Sequence, residues 1–123
     1  MKRTQLARQG EEQAAKYLQA QGYTLLARNW RKREGELDIV ALEGDTLAFV
    51  EVKTRRTHSY GAGEESVDPR KQVQLARLAQ RFIHENPQIA FRECRFDVVV
   101  VDMTVLPAQF RHYRNAFDPP DGV

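Results

Sequence analysis

The chain has 123 residues, enough for one domain with a sizeable hydrophobic core and too few for several domains. Hydrophobic residues make up 41% and charged residues 29%, an ordinary balance for a globular protein, and no apolar run approaches the length of a membrane helix. The formal net charge of +2 is too small to indicate a nucleic-acid partner by itself.

The basic start of the chain is followed by no apolar stretch, so we expect no secretory signal. Cys94 is the only cysteine, which excludes a disulfide within the chain and fits a cytoplasmic location.

The elements are predicted in the order α β β β α β, with one further edge strand as an option. The first helix should end at Gly22, and the second should begin at Asp68 and Pro69 and run to about His84. Strands are expected at about 23–30, 36–42, 46–54, 94–103 and 108–117. The prediction is a single α/β domain over 1–116, a mixed central sheet flanked by helices, with a disordered tail over 117–123.

The predicted hairpin 35–55 carries charged residues in otherwise apolar strands. A two-residue loop at positions 44 and 45 places Asp38 opposite Glu51 and Glu36 opposite Lys53, whereas a loop one residue earlier makes Asp38 and Glu51 diagonal neighbours. In either register Asp38, Glu51 and Lys53 share one face. The other face is wholly apolar and consists of Leu37, Ile39, Ala41, Ala48, Val50 and Val52.

Two carboxylates on adjacent strands, roughly 5 Å apart, repel each other and need compensation. A raised pKa, a salt bridge to Lys53 or a divalent cation would supply it, and paired carboxylates suit Mg²⁺. Glu11 lies within the small apolar stripe of the first helix, beside Ala14 and Leu18, and is a third acid that could join the site. The alternative is a Glu11 side chain that reaches water from the edge of the stripe.

Asp38, followed on the next strand by Glu51-Val52-Lys53, resembles the PD-(D/E)XK nuclease superfamily, and Glu11 resembles the additional acid of archaeal Holliday junction resolvases. The segments GEEQAAKYLQAQGY, ARNWR, GELDIVA and FVEVKTR are similar to the YraN family of bacterial endonuclease-like proteins. This resemblance covers about Leu6 to Asp102. Leu37 stands where the superfamily has proline, a residue that is not a metal ligand.

The resemblance implies a restriction-endonuclease-like domain that hydrolyses phosphodiester bonds with Mg²⁺ or Mn²⁺. Asp38, Glu51 and the backbone carbonyl of Val52 would hold the metal. Glu11 would complete the shell through water or assist proton transfer, and Lys53 would orient or deprotonate the water or offset transition-state charge.

Two further acids have open roles. Glu36 is an accessory candidate that could pair with Lys53 or touch a second metal. Asp97 could pair with Arg95 or a neighbouring strand or could belong to the site, and we favour a structural role. His58, His84 and His112 show no metal-ligand spacing and are expected in loops or at the surface.

Basic residues flank the hairpin and cover one face of the second helix, and these are the candidate nucleic-acid contacts. The substrate would be DNA, branched or single-stranded, recognised by shape because no base-reading motif is visible. A non-catalytic nucleic-acid-binding or adaptor module and a protein-interaction domain are the alternatives. The analogy with resolvases suggests a homodimer. The candidate contacts are Arg31, Lys32, Arg33, Arg55, Arg56, Tyr60, Arg77 and Arg81.

Overall fold

The computed structural model describes residues 4–56 and 63–119, which form two helices and one five-stranded sheet. The sheet has its strands in sequence order, with β3 and β4 parallel and every other neighbouring pair antiparallel. The elements are α1 (Gln5–Ala20), β1 (Thr24–Lys32), β2 (Gly35–Glu43), β3 (Thr46–Arg55), α2 (Pro69–Glu85), β4 (Glu93–Asp102) and β5 (Gln109–Phe117). The predicted α/β class with a mixed sheet is confirmed, and the optional edge strand is present as β5.

The ends of the elements follow the predicted local signals. The Asp68 side chain accepts a hydrogen bond from the backbone N–H of Lys71 at 3.1 Å, and Pro69 opens α2, so the predicted helix start is confirmed. Strand β5 includes Phe117, the first residue of the predicted tail, whereas residues 120–123 lie outside the described part of the chain. Neither described helix is long and apolar enough to span a membrane.

The two helices cover opposite faces of the sheet. Helix α1 packs on one face, where Ala14 and Leu18 meet Ile39 and Val50. Helix α2 covers the other face, and its buried stripe meets a different set of strand residues that includes Phe49. Because side chains alternate along each strand, both faces of the central strands are buried, and the result is a three-layered domain.

The hairpin adopts the first of the two predicted registers. Ile39 pairs with Val50 and Glu43 pairs with Thr46, which leaves a two-residue loop at Gly44 and Asp45. Gly44 has φ +61°, a conformation that this tight turn requires and that glycine adopts without strain.

At its open end the hairpin departs from the predicted alternation. Leu37 packs in the α2 cluster, so its assignment to the apolar face of Ile39 was wrong. The regular β2–β3 pairing ends at Ile39, and β1 has a positive φ of 53° at Asn29, between the residues that pair with Ile39 and Leu37. The two-residue period holds only where the ladder is regular, and it fails where the strands separate.

Helix α1 approaches β3 very closely at Gly10. A Cβ atom at this position would collide with Oγ1 of Thr54, so a larger side chain fits only if the Thr54 side chain or the helix is displaced. Gly10 immediately precedes Glu11, and the close approach therefore brings the Glu11 carboxylate to the place where β2 and β3 separate.

Candidate functional site

Three carboxylates converge at the open end of the hairpin. Glu11, Glu36 and Asp38 each place one oxygen within 4.8 Å of the others. Helix α1 supplies Glu11, which is 7% exposed, and β2 supplies the other two, which lie two residues apart in the segment where β2 separates from β3. The predicted contribution of Glu11 to an acidic cluster thus has a geometric basis, and Glu36 belongs to the same cluster.

The environment of Asp38 strongly disfavours its charged form. Burial raises the pKa of Asp38 to about 8, and repulsion from Glu51 and from Glu11 acts in the same direction. The backbone N–H of Val52 donates a hydrogen bond to Oδ2 of Asp38 at 2.9 Å and opposes the rise only in part. Burial and the neighbouring acids therefore favour the protonated form of Asp38 at neutral pH in the metal-free protein.

Glu51 lies beside Asp38 and is 8% exposed. It forms an ion pair with the Lys71 ammonium in the first turn of α2. Burial lowers the pKa of Lys71, but the attraction of Glu51 outweighs it, so the net pKa is raised. Lys71 was not among the residues predicted for the site, although its position one turn before the buried Leu75 places it at the edge of the core stripe.

Lys53 has different partners from those predicted. Its ammonium donates to the backbone carbonyl of Glu64 at 3.0 Å and to that of Ser66, and the salt bridge to Glu51 is made by Lys71 instead. Burial lowers the pKa of Lys53, and the attraction of Glu51 offsets only part of that change. The catalytic roles assigned to Lys53 stay predictions.

Glu36 pairs with Arg31, whereas the first register had suggested that it would pair with Lys53. Nε and one terminal nitrogen of Arg31 lie 3.2 and 3.0 Å from the same Glu36 oxygen. Arg31 stands directly opposite Glu36 in the β1–β2 ladder, whereas the β2–β3 pairing ends at Ile39, before it could bring Lys53 into line with Glu36.

The acids line an open cleft of about 680 Å³ at the open end of the hairpin, to which both helices and the end of β1 contribute side chains. Three predicted nucleic-acid contacts, Arg31, Lys32 and Arg33, lie in its wall. Lys32 pairs with Glu85 at 3.0 Å and lies over the Trp30 ring. The full lining is Glu11, Arg31, Lys32, Arg33, Glu34, Gly35, Glu36, Asp38, Glu51, Val52, Lys71 and Gln74.

The other predicted nucleic-acid contacts are placed differently. Arg55 is only 15% exposed and pairs with Glu64 at 3.6 Å, so it faces the protein. Arg81 is exposed but pairs with two acids, Glu34 and Glu85. Arg56 and Arg77 are exposed, and Tyr60 lies outside the described residues.

Asp97 lies in a separate polar cluster. It is fully buried and accepts hydrogen bonds from Nε of Arg95 at 2.9 Å and from the Asn115 backbone at 3.0 Å, while Nε2 of His112 lies 2.9 Å away. Burial raises the pKa of Asp97, but the hydrogen bonds from His112 and Arg95 lower it further than burial raises it. The structural role is supported, and the expectation that His112 lies at the surface was wrong, because its side chain is 6% exposed.

Fold and site together define a small α/β protein with a carboxylate cleft at the open end of a central hairpin. The sequence model described as "Uncharacterised protein family UPF0102" matches residues 10–101. A UPF0102 protein of Pseudomonas aeruginosa strain LESB58 is 45% identical over 113 residues, which covers 90% of each chain. A UPF0102 protein of Frankia casuarinae is 46% identical over 113 residues, covering 91% of this chain and 95% of its own. The chain belongs to UPF0102, the YraN family, as the resemblance had predicted.

Proposed function

We propose that this protein is a metal-dependent nuclease that hydrolyses phosphodiester bonds in DNA at the carboxylate cleft. The observation that carries the proposal is the convergence of Glu11, Glu36 and Asp38 beside Glu51, where burial and the repulsion from Glu51 and Glu11 raise the pKa of Asp38 to about 8. Buried acids that repel one another are uncommon unless a function retains them. A divalent cation in the cleft would remove the repulsion.

The donor set fits Mg²⁺ or Mn²⁺. Both ions prefer hard oxygen ligands, and ligands on opposite sides of Mg²⁺ are about 4 Å apart. The three carboxylate oxygens lie within 4.8 Å of one another, a separation of the same order. Glu11, Glu36 and Asp38 would hold the ion, with Glu51 and the Val52 carbonyl as the further ligands that the family resemblance implies.

The residues of the cleft would have different roles in hydrolysis. A bound divalent ion would polarise the phosphate and lower the pKa of the attacking water. Asp38 would release its proton as the ion binds. The lowered pKa of Lys53 suits a group that accepts a proton from water, and Arg31 and Arg33 at the rim would position the phosphates.

A binding or adaptor module without catalysis is the second candidate. One observation favours it: Lys53 is held by the carbonyls of Glu64 and Ser66, and Glu51 is held by Lys71, so two of the proposed catalytic groups are engaged within the chain. The homodimer and the cytoplasmic location stay predictions.

A cleavage assay separates the two functions. We expect the wild-type protein to cut labelled single-stranded or four-way-junction DNA with Mg²⁺ or Mn²⁺, and Asp38→Asn to reduce the rate at least ~100-fold because a metal ligand is lost. Glu93→Gln, an exposed acid at the far end of the sheet, is the matched control and should cut normally. Binding that persists without cleavage would support the module. The absence of both binding and cleavage would contradict both functions.

A further inference from the structure

A second depression adjoins the carboxylate cleft on the surface of α2. This α2 groove has a volume of about 450 Å³ and shares two lining residues, Glu34 and Gln74, with the cleft. A chain of nucleotides whose phosphate lay at the carboxylates could therefore continue directly into it. The α2 groove is lined by Glu34, Arg70, Val73, Gln74, Arg77 and Leu78.

The two arginines of the α2 groove differ from the other cations nearby. Lys32 and Arg81 pair with acids, whereas Arg70 and Arg77 are exposed and have no carboxylate partner among the residues that the structure describes. A phosphate can bind such arginines without breaking an existing ion pair. Arg70 and Arg77 are seven residues apart, which places them on one face of the helix, roughly 10 Å from each other along its axis.

The groove between these arginines has an apolar wall. Val73 is half-buried and Leu78 is 2% exposed, and both line the groove. Glu34 is the acid in the lining of the groove, and its charge is offset by Arg81, whose guanidinium lies 2.9 Å from the Glu34 carboxylate. The Gln74 amide donates to the Glu34 carbonyl, and Gly35 leaves the space for it, because a Cβ there would lie 2.7 Å from Nε2 of Gln74.

An apolar wall between two arginines that pair with no described acid suits an unstacked nucleotide, whose base packs against the wall while its phosphates meet the arginines. A duplex keeps its bases stacked inside and presents only phosphates to such a surface. We propose that the α2 groove is a subsite for single-stranded DNA that holds nucleotides adjacent to the phosphate in the cleft. The proposal rests on the proposed function in that it takes the cleft to be the reaction site.

Binding measured without metal tests the subsite separately from cleavage. The probe is fluorescein-labelled single-stranded oligothymidylate, with a blunt duplex for comparison, titrated in EDTA at several salt concentrations by fluorescence anisotropy. We expect Arg70→Ala/Arg77→Ala to weaken single-strand binding about 10-fold or more and to reduce the salt slope by about 1.4, which is 0.7 for each lost phosphate contact. Duplex binding should change less.

The matched control is Lys16→Ala/Arg92→Ala, which removes the same charge from exposed positions outside the α2 groove and the cleft. A second variant, Val73→Asn, keeps the charge and should weaken single-strand binding several-fold without changing the salt slope. Thermal unfolding verifies that each variant is folded. Equal losses in both double variants would overturn the subsite, as would normal binding by Arg70→Ala/Arg77→Ala. If either of these results were found while the wild-type protein cleaved DNA, the subsite would be contradicted and the nuclease function would stand. If single-stranded DNA bound in the groove but was not cleaved, the nuclease function would be contradicted and the subsite would stand.

Discussion

Asp38→Asn is expected to stabilise the metal-free protein at neutral pH, although the same change should abolish metal-dependent cleavage. Folding raises the pKa of Asp38 from 3.8 to about 8 because burial and the neighbouring acids Glu51 and Glu11 disfavour its charge. The folded state then binds more protons than the unfolded state between these values. The contribution of Asp38 to stability is complete below about pH 4 and is lost as the pH rises towards 8.

Asparagine does not ionise, so the variant avoids this loss of stability. Its side-chain oxygen can still accept a hydrogen bond from the Val52 N–H. We expect the variant to gain on the order of 1–3 kcal/mol over the wild type at pH 8.5, and much less at pH 4. Urea unfolding in EDTA at both pH values measures the gain, and Glu93→Gln should follow the wild type throughout. If Asp38→Asn and the wild type lost stability in parallel across this range, the account of the acidic cluster would be wrong.

Asp97→Asn is expected to be destabilising, by about 2–4 kcal/mol at neutral pH, because it removes a fully buried carboxylate that three groups contact and leaves Arg95 with Glu43, at 3.1 Å, as its remaining acid. Arg95 is 18% exposed, and its Nε bonds to Asp97. The backbone of Asn115 and the side chain of His112 contact the same carboxylate, so that Asp97 connects β4 to β5.

The pH dependence should have the opposite sign from that at Asp38. Folding lowers the pKa of Asp97, since its hydrogen bonds outweigh burial, and its contribution is present above its ordinary pKa of 3.8 and is lost as the pH falls through the lowered value. The difference between wild type and variant in urea unfolding should therefore shrink in strong acid. The exposed Asp118→Asn serves as the control. A loss below ~1 kcal/mol at neutral pH would show that the cluster contributes little.

Asp38 and Asp97 show why neighbours decide what a buried acid does. Both interrupt apolar strands, and the sequence distinguished them through the predicted hairpin register, which sets Asp38 beside Glu51, and through the family resemblance. In the structure Asp97 faces Arg95 and His112, whereas Asp38 faces Glu51 and Glu11. A compensated acid stabilises the fold. An uncompensated one destabilises it and is a candidate for function.

Local patterns predicted the parts of the fold that local physics controls. The cap at Asp68, the loop at Gly44 and the packing position of Glu11 follow from turn chemistry and helical periodicity, and all three agree with the structure. These features depend on residues close in sequence or on one regular helix face.

The contacts that sequence reasoning missed depend on how separate elements meet. Lys71 reaches Glu51 from α2, and Lys53 turns to the carbonyls of Glu64 and Ser66, which no spacing within β3 indicates. Leu37 lies on the face opposite to the predicted one because the regular pairing between β2 and β3 ends at Ile39. Helix placement and strand separation are properties of the whole domain, so a strand-by-strand reading could not supply them.

Calorimetric titration of the metal-free protein with Mn²⁺ tests most directly whether the carboxylate cleft is a cation site. The predicted result is saturable binding that tightens with pH up to about 8, where Asp38 ionises, with proton release detected by comparing buffers of different ionisation enthalpy. Binding should weaken at least ~10-fold in Asp38→Asn and in Glu11→Gln. Folded wild-type protein that took up no Mn²⁺, or that bound it equally well after either substitution, would contradict the account.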